Sequence, residues 1–189
     1  MKNTRVLVAA LAALVVAAPL LAEDKPMGPP KPAPEMSQLS YFVGTWSCAG
    51  KAFASPFGPE HATEGVAHAQ MALDGFRLVI HYDETKTAAN TMPYHALQVV
   101  GWDAGQKAFD SVCFDGFGST CTQTTQGWKG RVLVFEGTAL MMGQKGGVRD
   151  TFTKSCGTEM THKGEMQGEG GKWTATDEET CHRAGKTSK

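Results

Sequence analysis

From about residue 40 to residue 183 the chain consists of short runs rich in Val, Thr, Phe and Trp, broken by Gly, Asp and Asn, with no long stretch of apolar residues at helical spacing. An apolar-polar period of two places successive side chains on opposite faces of a strand. Such a chain specifies strands and turns, and it lacks helices that could cover a sheet. Candidate strands are residues 43–52, the two arms of 66–82, and residues 94–102, 107–114, 119–125, 130–137, 148–155, 159–167 and 172–183. An open sheet with that many strands leaves its edges free to pair with other chains. The expected fold class is therefore all-β, a single antiparallel up-and-down β-barrel of about 8–10 strands.

The hairpin in "VAHAQMALDGFRLVIHY" sets a register. Asp74-Gly75 is a dipeptide favoured in two-residue hairpin loops. Centring the turn there puts Leu73 opposite Phe76, Met71 opposite Leu78 and Ala69 opposite Ile80, all on one apolar face. His68 and His81 then face each other on the outer side. Two histidines at that separation suit a metal, but no third donor lies nearby in sequence, and they read as an exposed pair.

Pairing the first strand antiparallel to the last places Trp46 opposite Arg183 and, in the same register, Cys48 opposite Cys181. Cross-strand neighbours are close enough for a disulfide or for a guanidinium over an indole. Gly44-x-Trp46 followed by an arginine on the last strand resembles the signature of the calycin superfamily, the lipocalins and their relatives. With "LDGFRL", "GWDAGQKAFDS" and Arg183, the chain is also similar to a bacterial lipocalin-like family of unassigned function. The resemblance implies closure by Gly44, Trp46 and Arg183 and an interior for a small molecule. Some haem-binding barrels share the Gly-x-Trp start and use an inward histidine as axial ligand. Their C-terminal histidine motif is not matched by "TCHRAGK".

The two ends of the chain read differently. "MKNTRVLVAALAALVVAAPLLA" has a basic start, a short apolar run with Pro19, and Leu20-x-Ala22 before Glu23, the pattern of a secretory signal over residues 1–22. Five of the nine prolines fall between Pro26 and Pro34, so residues 23–38 read as a disordered tether. The barrel domain is placed at 39–183 and a disordered tail at 184–189. The protein is expected to be exported, periplasmic or secreted, with no stable membrane insertion once the signal is cleaved. Removing residues 1–22 takes Lys2 and Arg5 and no acid, leaving 16 basic against 19 acidic residues. No basic face is implied, so nucleic acid is not an expected partner.

Export permits disulfides. Of the five cysteines, register favours Cys48–Cys181, and Cys113–Cys121 could bridge the turn "FDGFGST". Cys156 remains and reads as a small buried side chain.

On "EMTHKGEMQ" alternation sends Met160, His162, Gly164 and Met166 inward. Thioether and imidazole are donors that suit copper, but Met160 and Met166 lie too far apart along a strand to reach one ion. No metal site is assigned, and no cofactor is expected. On neighbouring strands the same parity puts Asp150, Phe152, Lys154 and Cys156 together, and likewise Asp177, Glu179, Cys181 and Arg183. Either a bulge near Asp177 flips that register or this half of the interior is wet and polar. No nucleophile elbow, phosphate loop or Cys-x-x-Cys is present.

The expected function is non-enzymatic binding of a small, partly apolar ligand inside the barrel. Met71, Leu73, Phe76, Leu78 and Ile80 would form an apolar wall, Met160 and Met166 would adjoin it, and His162 with Arg183 or Lys154 would supply the polar end. One alternative is a metal- or haem-dependent protein or enzyme using His162. Another is a filled barrel acting as a surface interaction module. The sequence leaves the oligomeric state open.

Overall fold

Alternation along each run produces ten strands in the computed structural model, which describes residues 28–55 and 58–185. They are β1 Gly44–Ala52, β2 His61–Ala72, β3 Arg77–Glu84, β4 His95–Asp103, β5 Ala108–Asp115, β6 Thr120–Thr125, β7 Val132–Met141, β8 Gln144–Cys156, β9 Glu159–Gln167 and β10 Trp173–Arg183. Each pairs antiparallel with its sequence neighbours, and β10 pairs with β1 to close the barrel. Closure removes the free edges that so long a sheet would otherwise present. Among the described residues no helix is long and apolar enough to cross a membrane.

The β2–β3 register matches the sequence, with Met71 opposite Leu78, Ala69 opposite Ile80 and His68 opposite His81. Asp74 and Gly75 form the turn at positive φ, and the Phe76 N–H donates to the Leu73 carbonyl. Leu73 departs from its expected place on the apolar wall. It sits at φ 50° with its side chain 72% exposed, because the tight turn lifts it off the strand. The β7–β8 hairpin runs longer than its sequence predicts, turning at Met142 and Gly143.

Closure joins four residues in one register: Trp46 with Arg183 and Cys48 with Cys181. The cysteines are bonded to each other. The Arg183 guanidinium lies 4.2 Å from the Trp46 ring, donating Nη2–H to the Tyr41 carbonyl at 2.6 Å and Nη1–H to the Val43 carbonyl. Gly44 has φ +126°, and a Cβ there would stand 2.9 Å from Arg183 Nη1. A side chain at that position would push the guanidinium off the indole. Cys113 and Cys121 form a second bridge across β5 and β6. Two disulfides are consistent with an oxidising environment.

The end of the barrel where β1 begins, here called the lower end, is plugged by a 3-10 helix, Pro34–Tyr41. Met36, Leu39 and Phe42 are buried among Trp46, Leu78, Val100, Phe109, Leu133 and Phe135. The Trp46 indole N–H donates to the Phe42 carbonyl at 2.8 Å, and Phe42 stacks on Trp128. This corrects the extent of the predicted tether. The compact unit begins at Lys31, because Met36 and Leu39 each gain about 1.5–3 kcal/mol by leaving water, which offsets the proline-rich composition. The predicted signal and residues 23–27 lie outside the described residues, as do 186–189 of the predicted tail.

Candidate functional site

Above Phe152 the inward positions change from apolar to polar. Register places Thr63 of β2, Tyr82 of β3, Gln98 of β4, Ser111 of β5, Gln123 of β6, Asp150 of β8, His162 of β9 and both Asp177 and Glu179 of β10 on the inner face. Below them Leu78, Val100, Phe135 and Phe152 form an apolar floor. Tyr94, 38% exposed, lies 6.3 Å from Tyr82 and 5.9 Å from Phe117 between ring centres, an aromatic line at the upper mouth.

His162 is the hub. Its Nε2 lies 3.0 Å from Asp150 Oδ1 and its Nδ1 lies 3.1 Å from Asp177 Oδ2, while its ring packs 4.8 Å from Phe152. Gln123 Nε2–H donates to Asp150 Oδ2 at 2.5 Å, and the Thr176 hydroxyl donates to Asp177 Oδ1 at 2.9 Å. Glu179 Oε1 accepts from the Tyr82 hydroxyl at 2.5 Å and the Thr63 hydroxyl at 3.0 Å. Gln98 Nε2–H donates to Ser111 Oγ. Gly164 allows Asp177 to reach the imidazole, since a Cβ there would stand 2.3 Å from Asp177 Oδ1.

Burial alone would lower the pKa of His162. The carboxylates of Asp177 and Asp150, by charge and by hydrogen bond, overcome this and hold it well above the usual imidazole range. Both ring nitrogens are then donors, and the side chain is an imidazolium clamped between two acids. Burial likewise pushes Asp177 up, but the His162 charge and hydrogen bonds from His162, Thr176 and Gly164 bring it below the ordinary aspartate range. For Glu179 burial prevails over the Tyr82, His162 and Thr63 contacts, so its pKa is raised. Tyr82 and Tyr94 are both raised, chiefly by burial.

This geometry bears on metals. With a carboxylate on each ring nitrogen, His162 presents no free lone pair, and its two acids sit on opposite edges of the ring. Among the described residues, three donors converge within 4.8 Å at Cys48, Cys181 and Glu179, but those two sulfurs are bonded to each other.

The structure separates residues that the sequence groups together. Met160 is buried opposite Cys181, while Met166 lies at the upper end opposite Val148. Leu78 is fully buried in the floor, Ile80 packs partly buried beside it and Phe76 ends at the lower turn. Lys154 and Arg183 are not at the polar end beside His162. Lys154 Nζ sits 3.7 Å from the Trp128 ring and 4.4 Å from that of Tyr41 at the lower end, and burial lowers its pKa. Arg183 is held by its carbonyls and indole. A cation facing an aromatic plug is stabilised where it is, so neither is free to meet a ligand above.

Of the two readings for β10, both features occur. A bulge between Ala175 and Asp177 turns Trp173 outward, where Arg149 stacks on it at 4.4 Å, yet Asp177 and Glu179 still face inward. Cys156 is the unbridged cysteine, but it is exposed rather than buried. A register shift between Lys154 and Cys156 carries it off the inner face, and hydrogen bonds from Thr158 lower its pKa. His68 and His81 lie on the outer face as expected, with His68 Nδ1 3.0 Å from Thr45 Oγ1.

Thr63, Tyr82, Gln98, Ser111 and Gln123 were not singled out from sequence. A parity count on β4–β6 could have found the last three, since Gln98, Ser111 and Gln123 occupy positions in register with apolar inward residues.

In comparisons with known proteins, the fold aligns with the crystal structure of Rv2717c from M. tuberculosis at TM-score 0.65 and 14% identity, over 82% of this chain and 100% of that one. At that identity the likeness is one of fold alone. A redesigned β-barrel aligns at TM-score 0.38 and 15% identity, over 77% of this chain and 94% of that one, too distant to support an argument. No curated protein sequence matches. The family described as "Protein of unknown function (DUF1579)" matches residues 31–183, most of the chain and the whole barrel, so the chain belongs to that family.

Proposed function

We propose that this protein is an exported, non-enzymatic barrel that holds a small, partly apolar molecule in its upper interior. One observation supports this above the rest. His162, Asp150 and Asp177 face inward by register, yet their side chains keep 20%, 30% and 31% of their exposure. Side chains fill the lower half to exclusion, with Trp46, Leu39, Leu78 and Phe109 at 1% or less. In the upper half Ser111, Gln123 and Thr63 are closed over as well, and the accessible space lies around His162, Asp150 and Asp177. A ligand there would bury the apolar surface that Phe152 and Ile80 keep above the closed floor and meet directed polar groups on the wall, the usual composition of a small-molecule site. Kinship with the calycins, from Gly44, Trp46 and Arg183, belongs to the same proposal, as does export.

The test is titration with N-phenyl-1-naphthylamine, a neutral dye that fluoresces in apolar surroundings. The wild type should enhance its emission saturably. Val148→Trp, which fills the inner wall above Asp150, should abolish the enhancement with circular dichroism unchanged, and Thr151→Trp on the outer face should not. No enhancement by the wild type, or equal enhancement by Val148→Trp, overturns the proposal. Native against denaturing mass spectrometry of protein from its exported fraction then gives the mass of any retained molecule.

A further inference from the structure

The sign of the charge inside the barrel points to the class of ligand, an inference that rests on the interior-binding reading above. A free Lys or Arg is the strongest partner an interior can offer a carboxylate. Among the described inward-facing residues above Phe152 there is none, because Lys154 and Arg183 are both engaged at the lower end. His162 has both of its N–H groups committed to Asp150 and Asp177, and His61, inward at the mouth, lies 4.0 Å from the inward Glu84. The acids Asp150, Asp177, Glu179 and Glu84 therefore outnumber the two imidazoles, leaving the upper interior with an excess of negative charge and of acceptors.

Glu179 makes this specific. It is 8% exposed, and both of its hydrogen bonds, from Tyr82 and Thr63, fall on Oε1. Among the described residues Oε2 receives no hydrogen bond. Gln123 and Gln98 direct their amide N–H groups to Asp150 and Ser111, and the Gln123 carbonyl oxygen lies against Cys121 Sγ. A second feature, independent of the acids, is the line of rings from Tyr82 through Tyr94 to Phe117 at the mouth. Aromatic faces attract cations, ammonium groups included.

We propose that the cavity takes a ligand bearing a protonated amine on an apolar body, with the ammonium among Glu179, Asp177 and Asp150 beneath the tyrosines and the apolar part on the Phe152 floor. The ammonium donates to these carboxylates and neutralises their surplus charge. A carboxylate in the same place would meet like charge, and repulsion and desolvation would oppose it.

Three probes of one length test this: octylammonium, octanol and octanoate, each competing against N-phenyl-1-naphthylamine at neutral pH. Octylammonium should bind at least about tenfold more tightly than octanol, and octanoate should bind more weakly than either. Glu179→Gln, and separately Asp177→Asn, keep the shape and remove a charge, and each should cut the preference for octylammonium over octanol several-fold. If one variant does not fold, the other still tests the proposal. Equal binding of octanol and octylammonium, preference for octanoate, or an unchanged ratio in the folded variants overturns the amine assignment while leaving an interior site standing. Failure of the dye itself to bind the wild type removes the interior site and the assignment together.

Discussion

Replacing His162 with Gln tests whether the imidazolium holds the upper interior together. The change removes a positive charge 3.0 Å from Asp150 and 3.1 Å from Asp177 while keeping a polar side chain of similar length. At an effective dielectric of about 20, each contact is worth about 5 kcal/mol of Coulomb energy before desolvation. Removing one partner of a buried ionic cluster costs about 3–5 kcal/mol net. Because these side chains keep a fifth to a third of their exposure, solvent screening places the expected loss at the lower end, about 3 kcal/mol. For a domain of this size that lowers Tm by about 6–12 °C.

The loss should depend on pH. His162 has a raised folded pKa, so its contribution is fully present below the unfolded value of about 6.5 and is lost as pH rises through the folded one. Asp177 has a lowered folded pKa, so its contribution is present above about 3.8 and is lost as pH falls through the folded value. The stability difference between wild type and variant should therefore be greatest between about pH 4 and pH 6.5 and should shrink on either side. Urea denaturation of both proteins across that range, at constant ionic strength, measures it. A difference that does not change with pH, or one below about 1 kcal/mol at pH 5.5, would mean that His162 acts through packing against Phe152 and would refute the ionic account.

The two disulfides should contribute unequally. Cys48–Cys181 spans 133 residues and Cys113–Cys121 spans 8, so loop entropy predicts losses of about 5 and about 2.5 kcal/mol when each pair is replaced by serine. Denaturant midpoints that rank them in the opposite order would count against the closure role of the first. Leu39→Ala, in the plug, should cost about 2–5 kcal/mol by leaving a cavity, read by thermal unfolding together with exposure of Trp46 by fluorescence. A loss under about 1 kcal/mol would show that the 3-10 segment is not part of the folding unit.

Much of the barrel is legible in the sequence because strands encode their faces locally. Alternation in "EMTHKGEMQ" is enough to send His162 inward and Lys163 outward. The pairing of Trp46 with Arg183 and Cys48 with Cys181 follows from two strands having complementary residues in one register, and Asp74-Gly75 determines the β2–β3 pairing by turn chemistry. The plug was not legible, since proline content outweighs two apolar residues in any reading of composition, and only the open barrel end gives Met36 and Leu39 a surface to bury against.

The candidate site is a different matter. Parity determines which side of the wall a residue faces, so the inward direction of Asp150 and His162 belongs to the sequence, whereas that of Glu179 depends on where the bulge beside Asp177 falls, which only the structure decides. Their height in the barrel depends on how far each strand is staggered against the next, a property of the closed and tilted sheet as a whole. That stagger brings residues from eight strands to one level, lifts the acids to His162 and lowers Lys154 and Arg183 to the plug. The sequence by itself determined a closed barrel with polar groups inside; only the tertiary structure decided that the charge they present is negative.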